Sequence, residues 1–135
     1  MREVRATRFV RAPPTVVERT LSPAAVVESE GSFDVRAVDE RDDGTTLVTA
    51  GARGLELTFR FEAREEGLSY AQEGGPFDAM ETRLSVAPEN EGSSVTMRST
   101  VSLGLPAAAV TDRIAAWKRR GEIERALDAL AADVE

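Results

Sequence analysis

The apolar positions along this chain change their period twice, and the changes divide it into three parts. In residues 2–11, "REVRATRFVR", Val4, Ala6 and Val10 alternate with polar residues, which predicts a strand; Arg8 stands out of phase within it. Pro13 and Pro14 follow at once. Proline lacks an N–H and holds φ near the helical value, so it ends a strand and suits the first turn of a helix. "PTVVERTL" then offers Val16, Val17 and Leu21 as one short stripe, stopped by Pro23. "AAVVESEG" predicts a second short helix closed by Gly31 in the position that favours a left-handed backbone.

From Phe33 onward the period is two. Phe33 and Val35 open a strand that runs into "DERDDG", whose Asp43-Gly44 is a hairpin signal. "TTLVTAGAR" is the next strand, with Gly51 marking a bend or a close approach. In "LELTFRFEAR" Leu55, Leu57, Phe59, Phe61 and Ala63 face one way, and Glu56, Thr58, Arg60, Glu62 and Arg64 the other. "LSYAQE" aligns Leu68, Tyr70 and Gln72 before Gly74-Gly75-Pro76 breaks the pattern. "AMETRLSVA" aligns Met80, Thr82, Leu84 and Val86. After a turn at "PENEGS", "SVTMRSTVSL" aligns Val95, Met97, Ser99, Val101 and Leu103. The sum is about seven strands in an antiparallel meander, apolar on one face and charged on the other.

The last third, "LPAAAVTDRIAAWKRRGEIERALDALAADVE", is rich in helix formers and has Pro106 at a plausible first position. At 100° per residue, Val110, Ile114 and Trp117 share one face. Ile123, Leu127, Leu130 and Val134 share another, rotated by roughly 140°. Ala109 and Ala116 fall near the second face. This predicts either a bend near Gly121 or an N-terminal half that is apolar on two sides. In the second case Trp117 would meet other helices or a cavity.

Composition narrows the chemistry. The chain has 135 residues, 41% hydrophobic and 30% charged, which suits one globular domain spanning 1–135. Without cysteine there are no disulfides or thiolate sites, and without histidine there is no Ser-His-Asp triad and no imidazole metal ligand. No spacing suggests an all-carboxylate metal site, so no cofactor or metal is expected. A net charge of −7 repels phosphate backbones and argues against nucleic acid. Of 17 basic residues only Lys118 is a lysine; an acidic, Lys-poor chain of this kind suggests a halophilic or GC-rich source. No apolar run is long enough to span a membrane and no secretory apolar segment follows Met1, so a cytoplasmic location is expected.

The order of elements is distinctive: one strand, two short helices, six antiparallel strands and a long helix. The opening "FVRAPPTVVERTLSP" and the closing "GEIERALDALAADVE" resemble the entry strand with its Ala-Pro end and the final helix of the START-like (SRPBCC) superfamily. That group includes the birch-pollen-allergen type, polyketide cyclases and dehydrases, and proteins like the accessory protein of carbon monoxide dehydrogenase. The sequence departs from it at Glu18 and Arg19, where an aromatic residue is common, and at Ser22, where an acidic one is. The resemblance covers the whole chain. It implies an α+β helix-grip fold, in which a curved antiparallel sheet wraps the C-terminal helix and the two short helices close one end. It also implies a cavity between sheet and helix that takes a small hydrophobic molecule such as a lipid or polyketide.

Within that expectation, Leu57, Phe59, Phe61, Met97 and Trp117 are the candidate pocket wall. Tyr70, Gln72, Thr82 and Ser99 are the candidate polar groups that orient a ligand. Each has a plainer reading, as core or as a polar group satisfied by its neighbours. Arg8, Arg53 and Arg60 are alternative anion contacts. "DERDD", 39–43, reads as a solvated hairpin tip, and "KRRGE", 118–122, as a solvated helix face. No pair of carboxylates is placed in the apolar interior, so binding is expected over catalysis. A polyketide cyclase/dehydrase-type enzyme and an accessory protein of the carbon monoxide dehydrogenase kind are the alternatives, and a homodimer is compatible with either. An ionisable side chain inside the cavity would favour the enzyme; an entirely apolar cavity would favour carriage.

Overall fold

The computed structural model describes residues 2–73, 79–102 and 108–135, with the backbone alone for 108–111. In chain order the elements are β1 (Arg2–Val10), α1 (Pro14–Thr20), α2 (Pro23–Glu30), β2 (Asp34–Glu40), β3 (Thr45–Ala52), β4 (Leu55–Arg64), β5 (Gly67–Glu73), β6 (Ala79–Glu89), β7 (Gly92–Ser102) and α3 (Ala108–Val134). The strands form one curved antiparallel sheet in the order β1-β7-β6-β5-β4-β3-β2, so the first strand closes against the last. The long α3 packs over β1 and β7 and against α2. This is the expected helix-grip arrangement.

The prolines act as the sequence implies. Pro13 is the N-cap of α1 with an extended backbone and Pro14 is its first residue. Pro23 opens α2 in the same way, behind Ser22, whose hydroxyl accepts from the Ala25 N–H at 3.1 Å. The serine at this turn is therefore a helix cap. Gly31 ends α2 at φ 79°, a conformation that costs a residue with a Cβ. At the β2–β3 hairpin Asp43 accepts from both the N–H and the hydroxyl of Thr45, at 3.0 and 2.6 Å. These bonds, the hydroxyl's foremost, hold its carboxyl below the usual range. A bulge at Arg36 lays that side chain across Gly51, the close approach expected there.

Several expectations change. "PENEGS" is a much tighter turn: β6 continues through Pro88, and only Asn90 and Glu91 lie between the strands, both with positive φ as a two-residue hairpin requires. Pro88 is tolerated because β5 pairs with β6 only as far as Ser85, which leaves one side of the strand free. Val16 is exposed while Val17 is buried, so the α1 stripe is narrower than read. Leu55 and Ala63 lie at strand ends outside the core. Arg8, out of phase on β1, turns towards α3 and meets Asp128 at 2.6 Å.

The largest correction concerns α3. It runs unbroken through Gly121 and buries one face: Asp112, Ala115, Ala116, Arg119, Glu122, Ile123, Ala126, Leu127, Leu130 and Ala131. Ile114 and Trp117 are on the other side, in solvent. The stripe anchored on Ile123 and Leu127 does continue towards the N-terminus, but through alanines and charged residues rather than large apolar ones. Leu103, Pro106 and the Gly74-Gly75-Pro76 break lie outside the described residues, as do the side chains of Ala109 and Val110. Among the described residues, no helix is long and apolar enough to cross a membrane.

Candidate functional site

Strand register creates the site. Phe61 on β4 stands opposite Tyr70 on β5, Tyr70 opposite Thr82 on β6, and Thr82 opposite Ser99 on β7. Side chains on facing positions of neighbouring strands share one face of the sheet. The four residues therefore form a single row across the concave face, and all four are buried. Three of them are hydroxyl-bearing. Phe61 lies flat on Tyr70, with ring centroids 4.4 Å apart at 20°, and Phe59 meets the same ring edge-on at 6.0 Å. These contacts fix the direction of the phenol.

Arg119 descends from α3 onto this row, only 2% exposed. A guanidinium has five N–H donors in a planar fork, and here each finds an acceptor. Nε donates to Ser99 Oγ at 2.9 Å. One Nη donates to the Tyr70 hydroxyl and to Thr82 Oγ1, both at 2.8 Å. The other donates to Glu122 Oε1 at 3.2 Å and to Glu30 Oε1. The hydroxyl protons then follow a consistent direction. Tyr70 accepts from Arg119 and donates to Glu30 Oε2 at 2.7 Å; Thr82 accepts from Arg119 and donates to Met80 Sδ at 3.1 Å. That leaves Ser99 to donate to Thr82 at 2.8 Å.

Glu30 reaches the site as the last residue of α2. Its own carbonyl accepts from Arg125 Nε at 2.9 Å, which ties the end of α2 to α3. Burial pushes the Tyr70 hydroxyl far above its ordinary value; Arg119 opposes this and Glu30 adds to it, so the phenol stays a neutral donor. Burial also disfavours charge on Arg119, but Glu30, then Tyr70 and Glu122, more than reverse that effect and keep it a cation.

The structure thus brings together Tyr70, Thr82 and Ser99 from the sequence candidates, with Phe59 and Phe61 against them. Leu57 and Met97 are buried in the surrounding core, and Met97 with Leu84, Val26 and Leu127 lines a narrow cleft of about 20 Å³ between the sheet and the helices. Gln72 is half-buried, two positions along β5 from Tyr70. Trp117 is not at the site: two residues from Arg119 along a helix is roughly 200° of rotation, and its side chain is 78% exposed. "KRRGE" is not a uniformly solvated face either, because Arg119 and Glu122 are buried.

The sequence reading missed Arg119, Glu30, Glu122 and the equally buried Asp112. The expectation that no pair of carboxylates sits in the interior is therefore overturned by Glu30 and Glu122. A signal was present. Arg119 stands four residues before Ile123, and Glu30 stands four after Val26 and three after Val27, so each continues an apolar stripe by one turn.

Larger clefts open elsewhere, two of them beside the candidate arginines Arg53 and Arg60. One of about 470 Å³ lies between the turn after α2 and α3, lined by Phe33, Arg53, Leu55 and Lys118. The other, about 290 Å³, lies among Arg60, Glu62, Arg64, Glu73 and Arg83 on the charged side of the sheet, where Arg60 pairs with Glu73 at 3.8 Å and Arg64 with Glu62 at 2.9 Å. Among the described residues, no group of three metal-ligating side chains converges.

Solved structures share this architecture along nearly their full lengths. The protein TTHA0849 from Thermus thermophilus is 23% identical, with a TM-score of 0.75, covering 98% of this chain and 97% of that one. A START superfamily protein from Mycobacterium smegmatis is 15% identical with a TM-score of 0.72, covering 98% and 96%. The Zhui aromatase/cyclase from a Streptomyces species is 14% identical with a TM-score of 0.72, covering 99% and 96%. No curated protein sequence matches the chain. The family described as polyketide cyclase/dehydrase and lipid transport matches residues 1–135, the entire length of the curved sheet and its helices, and the chain belongs to that family.

Proposed function

We propose that this chain binds a small, largely apolar molecule between the sheet and α3 and holds one polar group of that molecule at Arg119. The observation that carries this reading is the division of the guanidinium's five bonds. Two go to carboxylates, but three go to the neutral hydroxyls of Tyr70, Thr82 and Ser99. A carbonyl or hydroxyl oxygen of a ligand replaces a neutral hydroxyl as acceptor at little net cost, because one hydrogen bond is exchanged for another. The apolar walls from Leu57, Phe59, Phe61 and Met97 suit the remainder of such a molecule. Entry requires the helices to part from the sheet, since the cleft beside Met97 is about the size of one water.

A second reading rests on the 2.7 Å bond from the Tyr70 hydroxyl to Glu30. A buried neutral phenol, aimed by a carboxylate and set beside a fixed cation, can donate a hydrogen bond to an oxygen that gains negative charge while the cation stabilises it. That is the equipment a cyclase or dehydrase needs.

Native mass spectrometry of freshly purified protein, followed by melting curves with fatty acids and aromatic polyketides, tests the binding reading. A bound mass or a raised Tm that persists or grows in Ser99→Ala, where the ligand has no hydroxyl to displace from Arg119, supports it. No bound mass and no shift with any compound rejects it. A linear poly-β-ketone that leaves with the mass of one water removed supports catalysis; its return unchanged rejects it.

A further inference from the structure

The outer face of the N-terminal half of α3 carries the two most exposed large apolar side chains among the described residues, Trp117 at 78% and Ile114 at 63%. Arg113 stands four residues before Trp117, and Lys118 four after Ile114, so all four share one exposed face. Arg120 flanks it, its Nη1 near the Arg5 carbonyl at 3.5 Å. From 113 to 121 the sequence has no carboxylate; Asp112 and Glu122 on either side are turned into the core, and the first exposed acid is Glu124, one turn beyond Arg120. The face is therefore positive on a chain whose net charge is −7. Lys118 also borders the cleft that holds Phe33, Leu55 and Arg53, which extends the basic and apolar surface to the β3–β4 turn.

We propose that this face docks on the surface of an anionic lipid bilayer. Trp117 and Ile114 enter the headgroup boundary, where an indole buries its ring and keeps its N–H in a polar layer. Arg113, Lys118 and Arg120 meet lipid phosphates, and the acidic remainder of the surface is repelled, which orients the molecule. Two protruding side chains on one helix are too little for a stable protein interface, which takes about 800 Å² from each partner, but suffice for shallow insertion beside charges. Symmetric pairing with a second copy would set these cations against their own counterparts. The proposal is independent of ligand binding at Arg119, because the surface and the buried cluster lie on opposite sides of α3.

Trp117 is the sole tryptophan, so intrinsic fluorescence reports on this face alone. Vesicles of phosphatidylcholine with phosphatidylglycerol are expected to shift its emission to the blue and to carry the protein down on sedimentation, with reversal at high salt. Vesicles of phosphatidylcholine alone are expected to do neither. Arg113→Glu with Lys118→Glu should lower partitioning at least about tenfold, and Trp117→Ser should lower it with an unchanged circular dichroism spectrum. No blue shift with anionic vesicles, or an equal shift with neutral ones, overturns the proposal on the unaltered protein alone. So does an equal shift with polyglutamate in place of lipid, which would assign the face to an acidic protein. A dimer that screens Trp117 and outcompetes the vesicles overturns it as well.

Discussion

Arg119 and Glu30 form an ion pair buried on both sides, with 2% and 6% of the two side chains exposed, although they are far apart in sequence. The pair locks the end of α2 to α3 directly above the hydroxyl row of the sheet. Glu122 adds a second carboxylate on the same guanidinium. A buried charge is tolerable only while its partners remain, so each member of this cluster depends on the others.

Arg119→Met should accordingly be far more damaging than its shape suggests. It leaves two buried carboxylates without their cation, a loss of about 3–5 kcal/mol by the general behaviour of buried pairs. Urea unfolding followed by circular dichroism measures it. Adding Glu30→Gln and Glu122→Gln should restore part of the loss. A loss under about 1 kcal/mol in the single variant would show that the cluster is hydrated in solution.

Tyr70 sets an alkaline limit. Its folded pKa lies well above the ordinary 10.0 because burial disfavours the phenolate. When the pH passes the unfolded value, the unfolded chain releases this proton and the folded chain keeps it. The contribution is therefore complete below about pH 10 and declines as pH rises above it. Tyr70 is the only tyrosine, so phenolate absorbance reads it alone. That absorbance should be missing from the folded protein at pH 10–11 and appear together with loss of ellipticity. An ordinary titration curve in folded protein would contradict the buried placement.

Gly67 opens β5 at φ 156°, and a Cβ there would lie 2.1 Å from the Leu84 carbonyl oxygen, a backbone atom that cannot swing aside. Gly67→Ala should separate β5 from β6 at this end and cost at least about 1–3 kcal/mol in backbone strain. Faster hydrogen exchange confined to Val86, whose N–H bonds to the Glu66 carbonyl at 2.8 Å, and its neighbours would locate the effect. A wild-type Tm would refute it.

The fold was legible because its punctuation is local. The prolines at 13, 14 and 23, Gly31, and the Asp43-Gly44 turn act through φ preferences that need no tertiary partner. The inward phase of Tyr70, Thr82 and Ser99 was legible too, since strand alternation is a local rule. Their alignment into one row was not, because it depends on the register of three strand pairs. The centre of the site was hidden for a different reason. A search for large apolar residues on α3 selects Ile114 and Trp117, whereas the helix buries two alanines and three charged residues in that half. Arg119 is tolerated because, besides Glu122 on its own helix, partners arrive from α2, β5, β6 and β7, and pairing across such distances leaves no periodic trace.

Met97 gives the sharpest test of whether the interior opens. It is fully buried and lines the narrow cleft between the sheet and the helices, where the proposed ligand would have to lie. Met97→Ala removes most of that side chain without touching Arg119 or its acceptors. It should cost about 2–5 kcal/mol, the usual loss for such a truncation, and leave a cavity large enough for a small apolar guest. If the helices part from the sheet in the native protein, benzene or a short alkane acid should raise the Tm of the variant by more than it raises that of the parent. The gain offsets part of the cavity's cost by binding the folded state alone. Equal responses would mean that the surrounding side chains collapse into the space, and that the interior is packed for stability rather than poised to receive a guest.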